Sequence, residues 1–219
     1  MGAALNPQLS LLEARVLGVL VEKELTVPDI YPLSQNALTA GCNQKNNRNP
    51  VLNASELEVQ AAIDRLKPLS FVIESSGSRV MRYSQNIGRV LKVPNEAVAL
   101  LAALWLRGPQ TAAELRAATE RLHRFADASS VEGFLAQLAE RTSEAGGPLV
   151  RLLPRASGAR EQRWADLLTP AADAAAAGSV RERDDDASTQ WRAEIEQLRA
   201  ELQALRERVQ QLEDRGPGG

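Results

Sequence analysis

At Pro68 the hydrophobic pattern of this 219-residue chain changes period. Before it, Val59, Ala62, Ile63 and Leu66 recur at the i, i+3, i+4, i+7 spacing of a helix lying on a core. After it, Phe71-Val72-Ile73 and Val80-Met81-Arg82-Tyr83 are rich in β-branched and aromatic residues, and Ser75-Ser76-Gly77-Ser78 between them supplies turn chemistry. Upstream, one helical segment buries Leu12, Val16, Val19 and Leu20 and ends before Val27-Pro28. A second opens near Ser34 and packs Ala37, Leu38 and Cys42. Three helices followed by a hairpin is the order of a winged helix.

The order then repeats. Asn95 is placed to cap a helix with Val98, Leu101, Ala102 and Trp105 on one stripe, stopped by Gly108-Pro109. Thr111 opens the next, and Val131, Phe134, Leu135 and Leu138 repeat the third-helix spacing. Strands are expected over 149–153 and 162–164, with 154–161 as the wing. Four helix starts share one device, a hydroxyl followed three residues later by a glutamate: Ser10 with Glu13, Ser55 with Glu58, Thr111 with Glu114 and Ser129 with Glu132. The expected fold is mostly α with small β-hairpins, an α+β class. It comprises two tandem winged-helix domains, residues 1–92 and 93–169, with a short linker near 91–94.

Residues 170–190 are alanine-rich, small-polar and charged with no apolar period, the composition of a flexible linker. In 191–213 the pattern returns: Trp191, Ile195, Leu198, Leu202, Leu205, Val209 and Leu212 are spaced as a coiled-coil seam. β-branched residues predominate at a and leucine fills d. The g-to-e pairs Glu194 with Arg199, Glu201 with Arg206 and Arg208 with Glu213 are all attractive between parallel strands, so a parallel homodimer through this helix is expected.

Composition narrows the chemistry. A single cysteine, Cys42, excludes an internal disulfide and a thiolate zinc site, and His123 is likewise alone. Neither a phosphate loop, nor a paired metal motif, nor a nucleophile signature is present, so the reading is non-enzymatic, without cofactor or metal. Neither a membrane-length apolar run nor a signal-peptide pattern occurs, so a cytoplasmic location is expected. Net charge by region is +2 over 1–92, zero over 93–169 and −4 over 170–219, so any nucleic-acid contact must come from a local patch.

Such a patch is offered by the loop between the second and third helices, where Gln44, Lys45, Asn46, Asn47 and Arg48 bring amide and cationic donors suited to phosphate. Arg79 and Arg82 in the first wing, and Arg155, Arg160 and Arg163 in the second, add cations. The third helices present instead Leu57, Ala61 and Asp64, and in the second unit Gly133, Ala136 and Gln137, which suits groove reading poorly. The expected function is therefore a DNA-associated, transcription-regulator-like protein that contacts duplex DNA through the 43–49 loop and the wings. The alternative is a protein-interaction adaptor with its partner at Leu57 and Ala61.

The segments LEARVLGVLVEKE, YPLSQNALTAGCNQKNNRNPV, RGPQTAAELR and RLHRFAD carry a resemblance to the YceH family of bacterial proteins. It covers Leu9 to Leu168, and CNQK-x-NR-x-P is its most specific element. Asn49 stands where that family commonly has an acid before the proline. The resemblance implies tandem winged-helix domains and no established biochemical role; the segment beyond Pro170 lies outside it.

Overall fold

Ser10 starts the first helix, α1 (Leu11–Thr26), with both halves of a capping box: the Glu13 amide donates to Ser10 Oγ at 3.2 Å and the Ser10 amide to Glu13 Oε2 at 2.7 Å. From Glu13 to Val21 every residue of α1 is buried, so it is surrounded by protein rather than lying on a surface. The structure is a computed structural model and describes residues 7–76 and 80–169.

A short strand β1 (Leu33–Ser34) runs straight into α2 (Gln35–Cys42), because Ser34 both ends the strand and caps the helix by accepting from the Ala37 amide. The helix α3 (Glu56–Leu66) opens on the Ser55–Glu58 capping box and buries Val59, Ala62, Ile63 and Leu66, the stripe expected from the sequence. β2 (Val72–Ser76) and β3 (Met81–Gln85) form the hairpin. β3 also pairs with β1 through Leu33 opposite Tyr83, giving an antiparallel sheet in the order β1-β3-β2.

After the hairpin come α4 (Ile87–Leu91), α5 (Asn95–Arg107), α6 (Ala112–Thr119) and α7 (Ala128–Ala139), then the antiparallel pair β4 (Val150–Leu152) and β5 (Trp164–Asp166). All of Ala97 to Leu106 in α5 is buried, like the middle of α1. The two helices pack on each other so closely that a Cβ added at Gly18 would lie 2.9 Å from Leu106 Cγ. One cluster of buried side chains therefore runs from α1 through α5 to Leu168, and the described residues belong to one compact unit. The class is thus mixed α and β with small antiparallel sheets.

Several expectations need correction. Asn95 is the first residue of α5, and Pro94, with no side chain able to accept a bond, occupies the cap. Ser129 lies inside α7; the cap is Asp127, whose Oδ1 accepts from the Ser130 amide at 2.7 Å, and a carboxylate outcompetes a hydroxyl at a helix N-terminus. The second strand of the small sheet begins at Trp164 rather than spanning 162–164, because its pairing is with Val150 to Leu152. The segment before α5 holds the helical turn α4, and Ile87 and Leu91 in it are buried. Arg79, the linker over 170–190 and the seam of Trp191, Ile195, Leu198, Leu202, Leu205, Val209 and Leu212 lie outside the described residues. No described helix is long and apolar enough to cross a membrane.

Candidate functional site

The loop after α2 is built around two buried arginines. Arg15, an arginine in the apolar run of α1, is wholly buried and donates from Nη1 to the Cys42 carbonyl at 3.2 Å and from Nη2 to the Pro50 carbonyl at 2.7 Å. Arg48 reaches back the other way. Its Nε donates to the Gly41 carbonyl at 3.3 Å, its Nη1 to the Asn47 carbonyl at 3.0 Å, and its Nη2 to Gln44 Oε1 at 2.9 Å. The last carbonyls of α2, which a helix end leaves without partners, are thereby capped by cations, the sign that the helix dipole favours there.

The charge of Arg48 is met by Glu22 Oε2 at 2.8 Å, while Lys23 takes Glu22 Oε1 at 2.8 Å. Burial pushes the Glu22 carboxyl upward, but the bonds from Arg48 and Lys23 outweigh it and hold the group below its usual range. The opposite end of the loop is fixed by Asn43, whose side chain donates to the Ala54 carbonyl and accepts from the Ala54 amide, both at 2.7 Å. The Asn49 amide donates to the Leu106 carbonyl at 2.8 Å, which ties the loop to α5. Cys42 sits buried under this frame, and burial drives its thiol up to about 12, so the group stays a neutral, unreactive core residue.

The residues singled out from sequence therefore divide. Within the loop, Lys45, Asn46 and Asn47 are exposed. Arg48 is buried with each of its three nitrogens bonded inside the protein, and the Gln44 carbonyl oxygen is held by Arg48. In the first wing, Arg82 donates to the Pro32 carbonyl at 2.8 Å and so braces the hairpin against the segment that leads into β1. In the second, Arg163 bridges the Pro109 carbonyl and Glu114, whereas Arg155 and Arg160 are exposed. Of the expected cations, Arg48, Arg82 and Arg163 bond within the fold, and Lys45, Arg155 and Arg160 are exposed.

The outward face of α3 carries Glu56, Leu57, Gln60, Ala61 and Asp64, as the buried stripe on its other side requires. Arg65 at the flank is paired with Glu13 at 2.8 Å. Leu57 is 82% exposed. Beside it a groove runs between the start of α2, α3 and β3, lined by Gln35, Asn36, Glu56, Gln60, Met81 and Tyr83. Exposed Val80 and Met81 form its far wall. Sequence reading missed this groove because Leu33 and Ser34 carry too short a pattern to announce the strand that brings β3 against the start of α2.

A second concavity, of about 260 Å³, lies between the ends of α1, α5 and α6 and the loop. Lys23, Gln44, Asn47, Arg107 and Arg121 line it. Among the described residues no group of three His, Cys, Asp or Glu side chains is placed to hold a metal ion.

Fold and loop together define a class: a mixed α and β body whose second helix is capped from below by buried arginines and followed by a tied, asparagine-rich loop. The family model described as "Protein of unknown function, DUF480" matches residues 9–159, and the chain belongs to that family. A UPF0502 protein of Leptothrix cholodnii is 64% identical over 164 residues, covering 75% of this chain and 72% of the relative. Relatives of the same name in Cupriavidus taiwanensis and Methylibium petroleiphilum are 58% identical over 195 residues and 66% over 160. They cover 89% and 73% of this chain, and 78% and 67% of their own lengths. The family resemblance read from the sequence is thus shown, at the level of an uncharacterised family.

Proposed function

We propose that this chain is a non-enzymatic adaptor of two tandem winged-helix units, residues 1–92 and 93–169, that docks a protein partner on the outward face of α3 and the adjoining groove. The order helix, short strand, two helices, two-stranded wing over residues 11–85 is that of a winged helix, and β1 supplies the strand that completes its sheet. The observation that carries the docking reading is Leu57, 82% exposed where a groove-reading helix would present a cation or amide. Ala61 lies one turn on along the same exposed face, Val80 and Met81 add apolar surface to the adjoining groove, Glu56 lines that groove and Asp64 is exposed on α3. Acids next to apolar surface repel phosphate and suit a segment that inserts an apolar side chain flanked by lysine or arginine.

A DNA-associated, transcription-regulator-like role is the second reading, supported by the exposed arc Lys45, Asn46 and Asn47 together with Arg155 and Arg160. Capture from lysate with nuclease present separates the two. A partner that survives nuclease and is lost with Leu57→Glu supports docking. Capture abolished by nuclease or by Lys45→Glu, and indifferent to Leu57→Glu, supports DNA.

The seam over 191–212 supports a parallel homodimer, which would pair two docking faces and raise avidity. Sedimentation equilibrium should give twice the monomer mass for the full chain and the monomer mass for a chain ending at Ala176. Equal monomer masses for both would end the dimer proposal.

A further inference from the structure

We infer that the cleft between α1, α5, α6 and the 43–48 loop is a binding site for a small phosphate monoester. Three cations line it, Lys23, Arg107 and Arg121, and among the described residues neither Arg107 nor Arg121 has an ion pair or side-chain hydrogen bond. The acid on the wall, Glu22, is already spent on Arg48 and Lys23. Local charge is therefore in cationic excess where no carboxylate remains to answer it.

The loop adds donors of fixed orientation. Gln44 Oε1 accepts from Arg48 at 2.9 Å and from Lys23 at 3.4 Å, so its amide NH₂ is the end left for a ligand. Asn47 stands at φ 59 with its carbonyl held by Arg48, which turns its side chain to the same wall. Arg48 is thus a positioning residue: it sets the rim without reaching the ligand. Lys23 and Arg107 lie in the last turns of α1 and α5, where a cation offsets the helix dipole, but that duty needs no cleft and does not account for Arg121 or the two amides.

Buried Ala103 and Leu106 form an apolar floor, and Ala118 and Leu122 extend it up the wall. A volume of about 260 Å³ with cations at the rim and an apolar floor admits a terminal phosphate carrying a compact organic body. A nucleic-acid backbone is the other source of phosphate, yet a duplex is convex and presents diesters, whereas this surface is concave.

Calorimetric titration of the full chain with AMP, with inorganic phosphate and with a short DNA duplex tests the assignment, using wild type, Arg107→Ala and Arg121→Ala. AMP and phosphate should bind wild type, AMP more tightly, and each substitution should weaken AMP by about tenfold or more, the cost of one charged hydrogen-bonding partner. Arg121 is exposed, so its variant folds whatever becomes of Arg107→Ala. Absence of AMP and phosphate binding, or affinity unchanged in Arg121→Ala, would overturn the proposal. Duplex binding that is sensitive to both variants, without AMP binding, would overturn it in favour of nucleic acid.

Discussion

Arg48→Ala should destabilise the protein by about 3 kcal/mol, while Lys45→Ala, three residues away in the same loop, should change stability by less than about 0.5 kcal/mol. The contrast follows from where the two cations point. The Arg48 side chain is fully buried; removing it leaves the carbonyls of Gly41 and Asn47 and the Gln44 oxygen short of donors, and Glu22 with a single partner. Lys45 is exposed and bonds to nothing in the described protein. Arg48→Lys should recover little, because a point ammonium cannot serve four acceptors arranged around a planar fork. Denaturant unfolding of the three variants measures this.

The pH dependence has a definite sign. Glu22 has a folded-state value below its ordinary 4.5, so its contribution is fully present above that value and is lost as pH falls from about 4.5 through the depressed folded value. Arg48→Ala should flatten this part of the acid limb. An unchanged acid limb would show that the pair carries none of it.

Gly41→Ala should cost about 1–3 kcal/mol, for a reason that a second substitution can expose. A Cβ at Gly41 would lie 2.5 Å from Val19 Cγ1, closer than real atoms approach, so α2 must move off α1 or Val19 must leave its rotamer. Val19→Ala alone opens a cavity and should cost about 2 kcal/mol. In the double variant the new methyl enters the space the valine vacates, and the loss should fall short of the sum by at least about 1 kcal/mol. Strict additivity would mean that the two helices do not meet at this point.

Much of the fold is legible in the sequence, because a buried stripe on a capped helix needs only local information. The stripe of α3 and the starts at Ser10, Ser55 and Thr111 stand where the pattern puts them. At Ser129 the same pattern misleads, since Asp127 two residues earlier caps more strongly. β1 is hidden because two residues have no periodicity; only pairing with β3 makes them a strand. The candidate sites were harder still. A loop rich in Gln, Asn, Lys and Arg reads as a donor surface, and sequence does not say which donors turn inward; Arg48 does so because Glu22, 26 residues upstream, lies one turn from the end of α1. Arg15 is the clue that was available: an arginine inside the apolar run of a central helix must find acceptors in the interior, and those nearest are the end of α2 and the loop itself.

A photo-crosslinking amino acid placed at position 57 and, separately, at position 45 of the full chain in cells reports what the docking face meets. Docking at α3 should give a discrete protein adduct at 57 that resists nuclease and is diminished by Met81→Glu in the adjoining groove, with no nucleic-acid adduct at 45. No protein adduct at 57, together with a nuclease-sensitive adduct at 45, would contradict it and establish the loop as the contact.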